Sequence, residues 1–249
     1  MDRTFDWNIR GVERAIMTRE EYINQVFETY RLTKVLADKN GCKTMHLRHK
    51  ALNKDIVLRS FPETVQAYEI LCGIKHENLP IIYDSIILND GQIVLEEFID
   101  GVTVAEILET GLYRYIGAKR VVTAVCNALD VLHKNGIIHR DIKPENVVID
   151  KNGRVVLIDF NASRKQSNAT KDTVVMGTVG YASPEQLGVT QSDPRTDIYA
   201  LGVMLNVMIT GKHPCEQLAK GKVGRIVNKC TNINPDLRYQ TVESLIKAL

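Results

Sequence analysis

The stretch from Ile138 to Asp159 constrains this chain more than any other. It opens with His139-Arg140-Asp141, places Lys143 and Asn146 shortly after the aspartate, and then runs into two apolar segments, Val147–Ile149 and Val155–Ile158. Asp150-Lys151-Asn152-Gly153 separates the two, and Asn-Gly between β-branched runs is a strong hairpin signal. The expected strand–turn–strand ends at Asp159, so it brings two carboxylates and an amide to the mouth of one site. A carboxylate such as Asp141 can take a proton from a hydroxyl. Asn146 and Asp159 offer hard oxygen ligands of the kind Mg²⁺ favours.

The order His139-Arg140-Asp141, Lys143, Asn146, followed by Asp159-Phe160-Asn161, resembles the H-R-D-x-K-x-x-N and D-F-G motifs of the eukaryotic-like Ser/Thr protein kinases. The resemblance implies an α+β, bilobal protein kinase-like fold. A small β-rich lobe is expected over residues 30–98 and a larger helical lobe over 99–249, preceded by a helical extension over 1–29. The cofactors it implies are ATP and Mg²⁺. Asp141 becomes the base, and Lys143, Asn146, Asp159 and Thr178 complete the catalytic set, with Asn146 and Asp159 as metal ligands. Leu36, Val57, Arg59, Glu96, Glu97, Ile99 and Val148 take the positions that surround the nucleotide.

Composition narrows the class without naming it. The 249 residues are 44% hydrophobic and 25% charged, and 32 basic against 30 acidic residues leave a net charge of +2. That is an ordinary globular balance and gives no electrostatic case for nucleic acid. The five cysteines show neither zinc spacing nor a disulfide framework, which suggests reduced thiols in the cytoplasm. No apolar run approaches the roughly 18 residues of a membrane span, and Met1-Asp-Arg-Thr-Phe-Asp6 is no signal peptide. A protein partner, as substrate or regulated target, is expected rather than nucleic acid or membrane; the oligomeric state stays open.

The first lobe departs from the family pattern. Thr18-Arg-Glu-Glu21 has the form of a capping box, and Ile23, Val26, Phe27 and Tyr30 recur at helical spacing behind it, so a helix packed on the first lobe is expected. Trp7, upstream, receives no assignment. The strand Tyr30–Leu36 should lead into a glycine-rich loop, yet Ala37, Lys39 and Cys42 stand at the three glycine positions and Gly41 falls between them. Arg59, in the strand Asp55–Phe61, stands where the family has a phosphate-binding lysine. In the following helix, expected over Pro62–Ile74, Ala67 takes the place of the partner glutamate, with Glu63 and Glu69 off register. Strands around Ile81–Ile87 and Ile93–Phe98 follow, the second running into the hinge-like Leu95–Gly101. There Glu97 and Ile99 would offer backbone groups to adenine. Glu96 sits at the gatekeeper, where a lone buried carboxylate is costly. Arg59 is its expected partner, within about 4 Å.

The second lobe keeps the pattern. Val121, Val125, Leu129 and Leu132 form the apolar stripe of a helix leading into the catalytic loop. Asn161–Asp172 has the composition of an activation loop, with Thr173 and then Thr170 as phosphorylation candidates that Arg140 could hold. Gly177-Thr178-Val-Gly-Tyr-Ala-Ser-Pro-Glu185 resembles the family's G-T-x-x-Y-x-A-P-E. By that resemblance Thr178 contacts Asp141 and Lys143, Glu185 pairs with Arg238, and Asp197 props the catalytic loop. Asp197 should open a helix capped at Gly211, and Val242–Leu249 should form the last helix. The short spacing from Glu185 to Arg238 suggests a trimmed, minimal kinase or a domain cut from a longer chain. Three functions compete: a Ser/Thr kinase, a pseudokinase that binds nucleotide or partner with weak or no catalysis, and a small-molecule phosphotransferase of related fold.

Overall fold

A computed structural model gives the protein in atomic detail and describes residues 17–165, 178, 180–187 and 191–249. Two compact units emerge. One comprises the chain up to Ile74 with Ile81–Phe98; the other comprises Lys75–Pro80 with Ile99–Leu249.

The first unit is a helix, α1 (Arg19–Thr29), and an antiparallel sheet of five strands. These are β1 (Tyr30–Lys39), β2 (Cys42–His49), β3 (Asp55–Phe61), β4 (Ile82–Leu88) and β5 (Gly91–Glu97), in the order β1-β2-β3-β5-β4. Alternation along the strands sends Ile56, Leu58, Ile93 and Leu95 to one face, where they join Met45, Leu47, Ile86 and Leu88. Helix α1 closes this face with Tyr22 and Val26, and Tyr30 completes the layer. The buried stripe is thus Tyr22–Val26–Tyr30, while Ile23 and Phe27, expected inside, pack only partly buried at its edge.

The capping box forms in both directions. The Glu21 N–H donates to Thr18 Oγ1 at 3.2 Å, and the Thr18 N–H donates to Glu21 Oε2 at 2.7 Å. Thr18→Ala is expected to destabilise the chain by about 1 kcal/mol, read from the urea midpoint. An unchanged midpoint would mean that tertiary packing alone holds the helix.

Two expectations in this unit need correction. Strand β1 does not stop at Leu36 but pairs with β2 as far as Lys39, and the pair closes through Asn40-Gly41, with φ of 52° and 75°. This is the two-residue hairpin turn that positive φ favours. The segment read as a degenerate glycine loop is therefore the end of the β1–β2 hairpin, with a register shift between Val35 and Ala37, and Gly41 is present for its turn. The helix expected over Pro62–Ile74 is only six residues long, α2 (Gln66–Leu71). It buries Ala67 and leaves Glu63 and Glu69 exposed.

The second unit carries β6 (Gly101–Thr103), α3 (Val104–Thr110), α4 (Tyr115–Lys134), β7 (Ile137–Ile138), β8 (Val147–Asp150) and β9 (Val155–Leu157). It continues with β10 (Arg164–Lys165), α5 (Pro194–Thr210), α6 (Gly221–Cys230) and α7 (Val242–Ala248). The expected hairpin is β8–β9, with β6 added on the far side of β8; β7 and β10 form a separate pair. Val121, Val125, Leu129 and Leu132 of α4 are fully or almost fully buried. Helix α5 begins at Pro194, earlier than Asp197, because Asp193 caps it, and it ends at Gly211 in the left-handed conformation, φ 71°. A Cβ on Gly202 of α5 would lie 2.3 Å from the Cβ of Cys230, so this glycine sets how closely α6 approaches. Trp7, Thr170 and Thr173 lie outside the described residues. No helix among the described residues is long and apolar enough to cross a membrane.

Candidate active site

The loop from His139 to Asn146 joins β7 to β8, and its backbone is unusual. Arg140 has φ 68°, a region that non-glycine residues enter only when the surroundings hold them there. Here they do. The carboxylate of Asp197 accepts the His139 N–H at 3.0 Å and the Arg140 N–H at 2.8 Å, while Gln186 Nε2 donates to the Arg140 carbonyl at 2.7 Å. Asp197 is itself fixed by His133 Nε2 at 2.8 Å. Its burial alone would raise the carboxyl pKa; the His133 bond, the nearby imidazoles and the Arg140 N–H outweigh burial and hold it below the usual carboxylate range. Asp197 therefore supports the loop, as expected, and does not face a reactant. Burial lowers the pKa of His139, which lies edge-on to Phe160 with ring centroids 5.4 Å apart.

Four of the expected catalytic residues converge. The Thr178 hydroxyl donates to Asp141 Oδ1 at 2.6 Å and accepts from Lys143 Nζ at 2.7 Å. Lys143 Nζ also lies 2.8 Å from Asp141 Oδ2. Asn146 Nδ2 donates to the Asp141 carbonyl at 2.8 Å and to Asp141 Oδ2 at 2.9 Å. Burial works to raise the Asp141 pKa, but Lys143, Thr178 and Asn146 together bring it below the ordinary carboxylate value. The result is an ionised carboxylate, still 16% exposed at the side chain, with its lone pairs oriented by three fixed donors.

Asp159 joins this group through the backbone, because the preceding Ile158 N–H donates to the Asn146 carbonyl at 2.9 Å. Asp159 itself takes a left-handed angle, with φ 68°. Asn161 stays outside that region and directs its N–H to Asp159 Oδ1 at 3.3 Å. The donor set fits Mg²⁺. Among the described residues no group of three or more His, Cys, Asp or Glu could cage a metal. Magnesium commonly takes one or two protein oxygens and completes its shell with water and phosphate. The Asn146 amide nitrogen is engaged with Asp141, so its oxygen is the atom that could face a metal.

The remaining expected site residues divide between the two units. In the first, Leu36 is exposed on β1 and Val57 is buried on β3. Arg59 Nε lies 2.6 Å from Glu96 Oε1, with side chains only 7% and 3% exposed. The register pairs Val57 with Glu96 and Arg59 with Val94, so the two charges are diagonal neighbours on the sheet face opposite α1. The expected replacement pair is thus formed. Glu97 spends its N–H on the Ile81 carbonyl at 2.8 Å. In the second unit Ile99 precedes β6, and Val148 is buried in β8 opposite Val156.

Residues 31–247 match the protein kinase domain family. The chain belongs to that family. This kinase domain is 33% identical over 226 residues to the probable serine/threonine-protein kinase CPE1738 of Clostridium perfringens. It is 31% identical over 220 residues to serine/threonine-protein kinase D of Synechocystis, and 29% over 210 residues to the probable serine/threonine-protein kinase PknB of Lactococcus lactis. The alignments cover 80%, 78% and 81% of this chain but 33%, 42% and 33% of those relatives. The kinase domain thus spans about a third to two fifths of their length. The sequence motifs' likeness to Ser/Thr protein kinases holds.

Two supports of the kinase domain were not legible from its sequence. Gln186 and His133 hold the catalytic loop, and neither stands in a motif that announces it; adjacency to Glu185 was the only signal for Gln186. The expected pair of Glu185 and Arg238 is present as a planar fork, with Arg238 Nη1 and Nη2 at 2.6 and 2.9 Å from the two carboxylate oxygens. Burial would raise the Glu185 pKa, and Arg238, with the Glu185 N–H and the Thr196 hydroxyl, more than reverses it.

Proposed function

We propose that this kinase domain transfers a phosphoryl group from ATP to Ser or Thr hydroxyls of a protein substrate in the cytoplasm. The observation that carries the reading is the closed set of contacts among Asp141, Lys143, Asn146 and Thr178. Asp141 orients the incoming hydroxyl and accepts its proton, and its depressed pKa keeps it ionised at neutral pH. Lys143 stands beside that carboxylate as a fixed positive charge, suited to the phosphoryl oxygens as charge develops on them. Thr178 locks the carboxylate and lysine together beneath the substrate hydroxyl. Bound Mg²⁺, held by Asn146 and Asp159, would neutralise the phosphates and align them for in-line displacement.

Asp159→Ala removes one of the two metal-facing oxygens and is expected to abolish Mg²⁺-dependent ATP binding in calorimetry. Unchanged affinity for Mg-ATP would remove Asp159 from the metal site. A second reading, a kinase-like module that binds nucleotide or partner without transfer, is favoured by one observation. Arg59, at the position of the phosphate-binding lysine, is committed to Glu96. Mg-ATP binding with no phosphate transferred would favour it.

A further inference from the structure

The loop after α5 carries an arrangement that phosphoryl transfer does not use. His213 Nδ1 lies 2.8 Å from Cys215 Sγ, and His213 Nε2 lies 2.8 Å from the Gly180 carbonyl oxygen. A carbonyl only accepts, so Nε2 carries the ring proton and Nδ1 is left as an acceptor. It receives the thiol hydrogen and, at 3.3 Å, the Cys215 N–H. A nucleophile bonded to a base, with the base oriented by a third group, is the arrangement of an activated nucleophile. Cys215 is also exposed.

Three of the other thiols are less suited to attack, and Cys42, at the start of β2, is only partly exposed. Cys126 and Cys230 are buried, and burial pushes their pKa values up. Cys72 is exposed, but burial of its sulfur and the Asp84 carboxylate oppose its ionisation. We propose that Cys215 is a thiol-modification site that takes small disulfides, with His213 as its base.

The step balances without a further oxidant. As Cys215 Sγ attacks one sulfur of the disulfide, its proton passes to His213 Nδ1. A new S–S bond forms, the original one breaks, and the departing thiolate takes the proton back from the imidazolium. One thiol is consumed and one released. The adduct no longer offers Nδ1 the thiol hydrogen, and only the longer bond from the Cys215 N–H, at 3.3 Å, is left on that side of the ring, which loosens His213 from Gly180. Gly180 has φ 91° and belongs to the turn whose Tyr181 and Ala182 N–H groups both donate to the Thr178 carbonyl, at 2.9 and 3.0 Å. Modification thereby reaches the residue that contacts Asp141. An effect on activity rests on the proposed role of Thr178; the modification itself does not.

The test uses the full chain with oxidised glutathione at neutral pH, following the mixed disulfide at each cysteine by peptide mass mapping. Cys215 is expected to react at least about a hundredfold faster than Cys72, the low end of what a positioned base supplies. His213→Gln is expected to remove that advantage while Cys72 keeps its rate. Equal rates at the two cysteines, or an undiminished Cys215 rate in H213Q, would overturn the site. Amide exchange at Tyr181 and Ala182 should rise in the modified protein; unchanged exchange would overturn the link to Thr178, whether or not the domain phosphorylates anything.

Discussion

Asp141→Asn is expected to lower phosphoryl transfer by about 10²–10⁴-fold, the range of a positioned general base, while Mg-ATP affinity stays close to wild type. The amide keeps the shape and can still accept from Thr178, so the loop between β7 and β8 should hold its backbone. What disappears is the proton acceptor and the charge opposite Lys143. The same geometry fixes the pH dependence. Because the Asp141 pKa lies below its ordinary value of 3.8, the base stays ionised well into acid, and kcat/KM should not fall on the acid side until the pH passes below that value. Removing the ammonium in Lys143→Met leaves burial to push the pKa back up. The acid limb of kcat/KM should then shift to higher pH. A D141N variant with wild-type turnover, or an acid limb indifferent to Lys143, would remove Asp141 from the role of base.

Glu96→Gln is expected to destabilise the chain by roughly 3 kcal/mol, because it removes the carboxylate charge that lies 2.6 Å from a guanidinium buried in the sheet. Arg59 and Glu96 are 6% and 2% exposed, so water can compensate little. Glu63→Gln and Glu69→Gln, at exposed positions, should each stay within about 0.5 kcal/mol. Replacing both partners, as Arg59→Met with Glu96→Leu, should recover much of the loss, since an apolar pair needs no counter-ion. Urea unfolding of the four corners of this double-mutant cycle yields the coupling directly. If E96Q unfolds at the midpoint of E63Q, the pair contributes nothing to the fold.

The second unit was far more legible in the sequence than the first. Its catalytic residues are tied to a hairpin with an Asn-Gly turn and to the long amphipathic helix α4, and both signals are local. The Glu185–Arg238 fork and the Asp197 support came from motif likeness alone, but the motif fixed both partners. The first unit was harder because its identity lies in register. Where β1 ends is decided by the turn at Asn40-Gly41, and the spacing count from β3 hid that turn. Helix α2 is shorter than the expected Pro62–Ile74 because it starts only at Gln66 and ends at Leu71, and no capping side chain marks its start. Arg59 and Glu96 were paired correctly, since two opposite charges on neighbouring strands have few ways to be buried except together. The left-handed angles at Arg140 and Asp159 left no mark in the sequence, because neither side chain announces them and the surrounding hydrogen bonds impose them. The His213–Cys215 contact was invisible because its third member, Gly180, lies far away in sequence.

The most direct measurement is intact-mass analysis of the chain incubated with Mg-ATP, alone and with a generic Ser/Thr protein substrate, beside the Asp141→Asn variant in the same buffer. The expected result is phosphate transferred to Ser or Thr by the wild type and none detectable with the variant. Mg-ATP binding by calorimetry with no phosphate transferred by either protein would contradict catalysis through Asp141 and leave the domain a nucleotide-binding module.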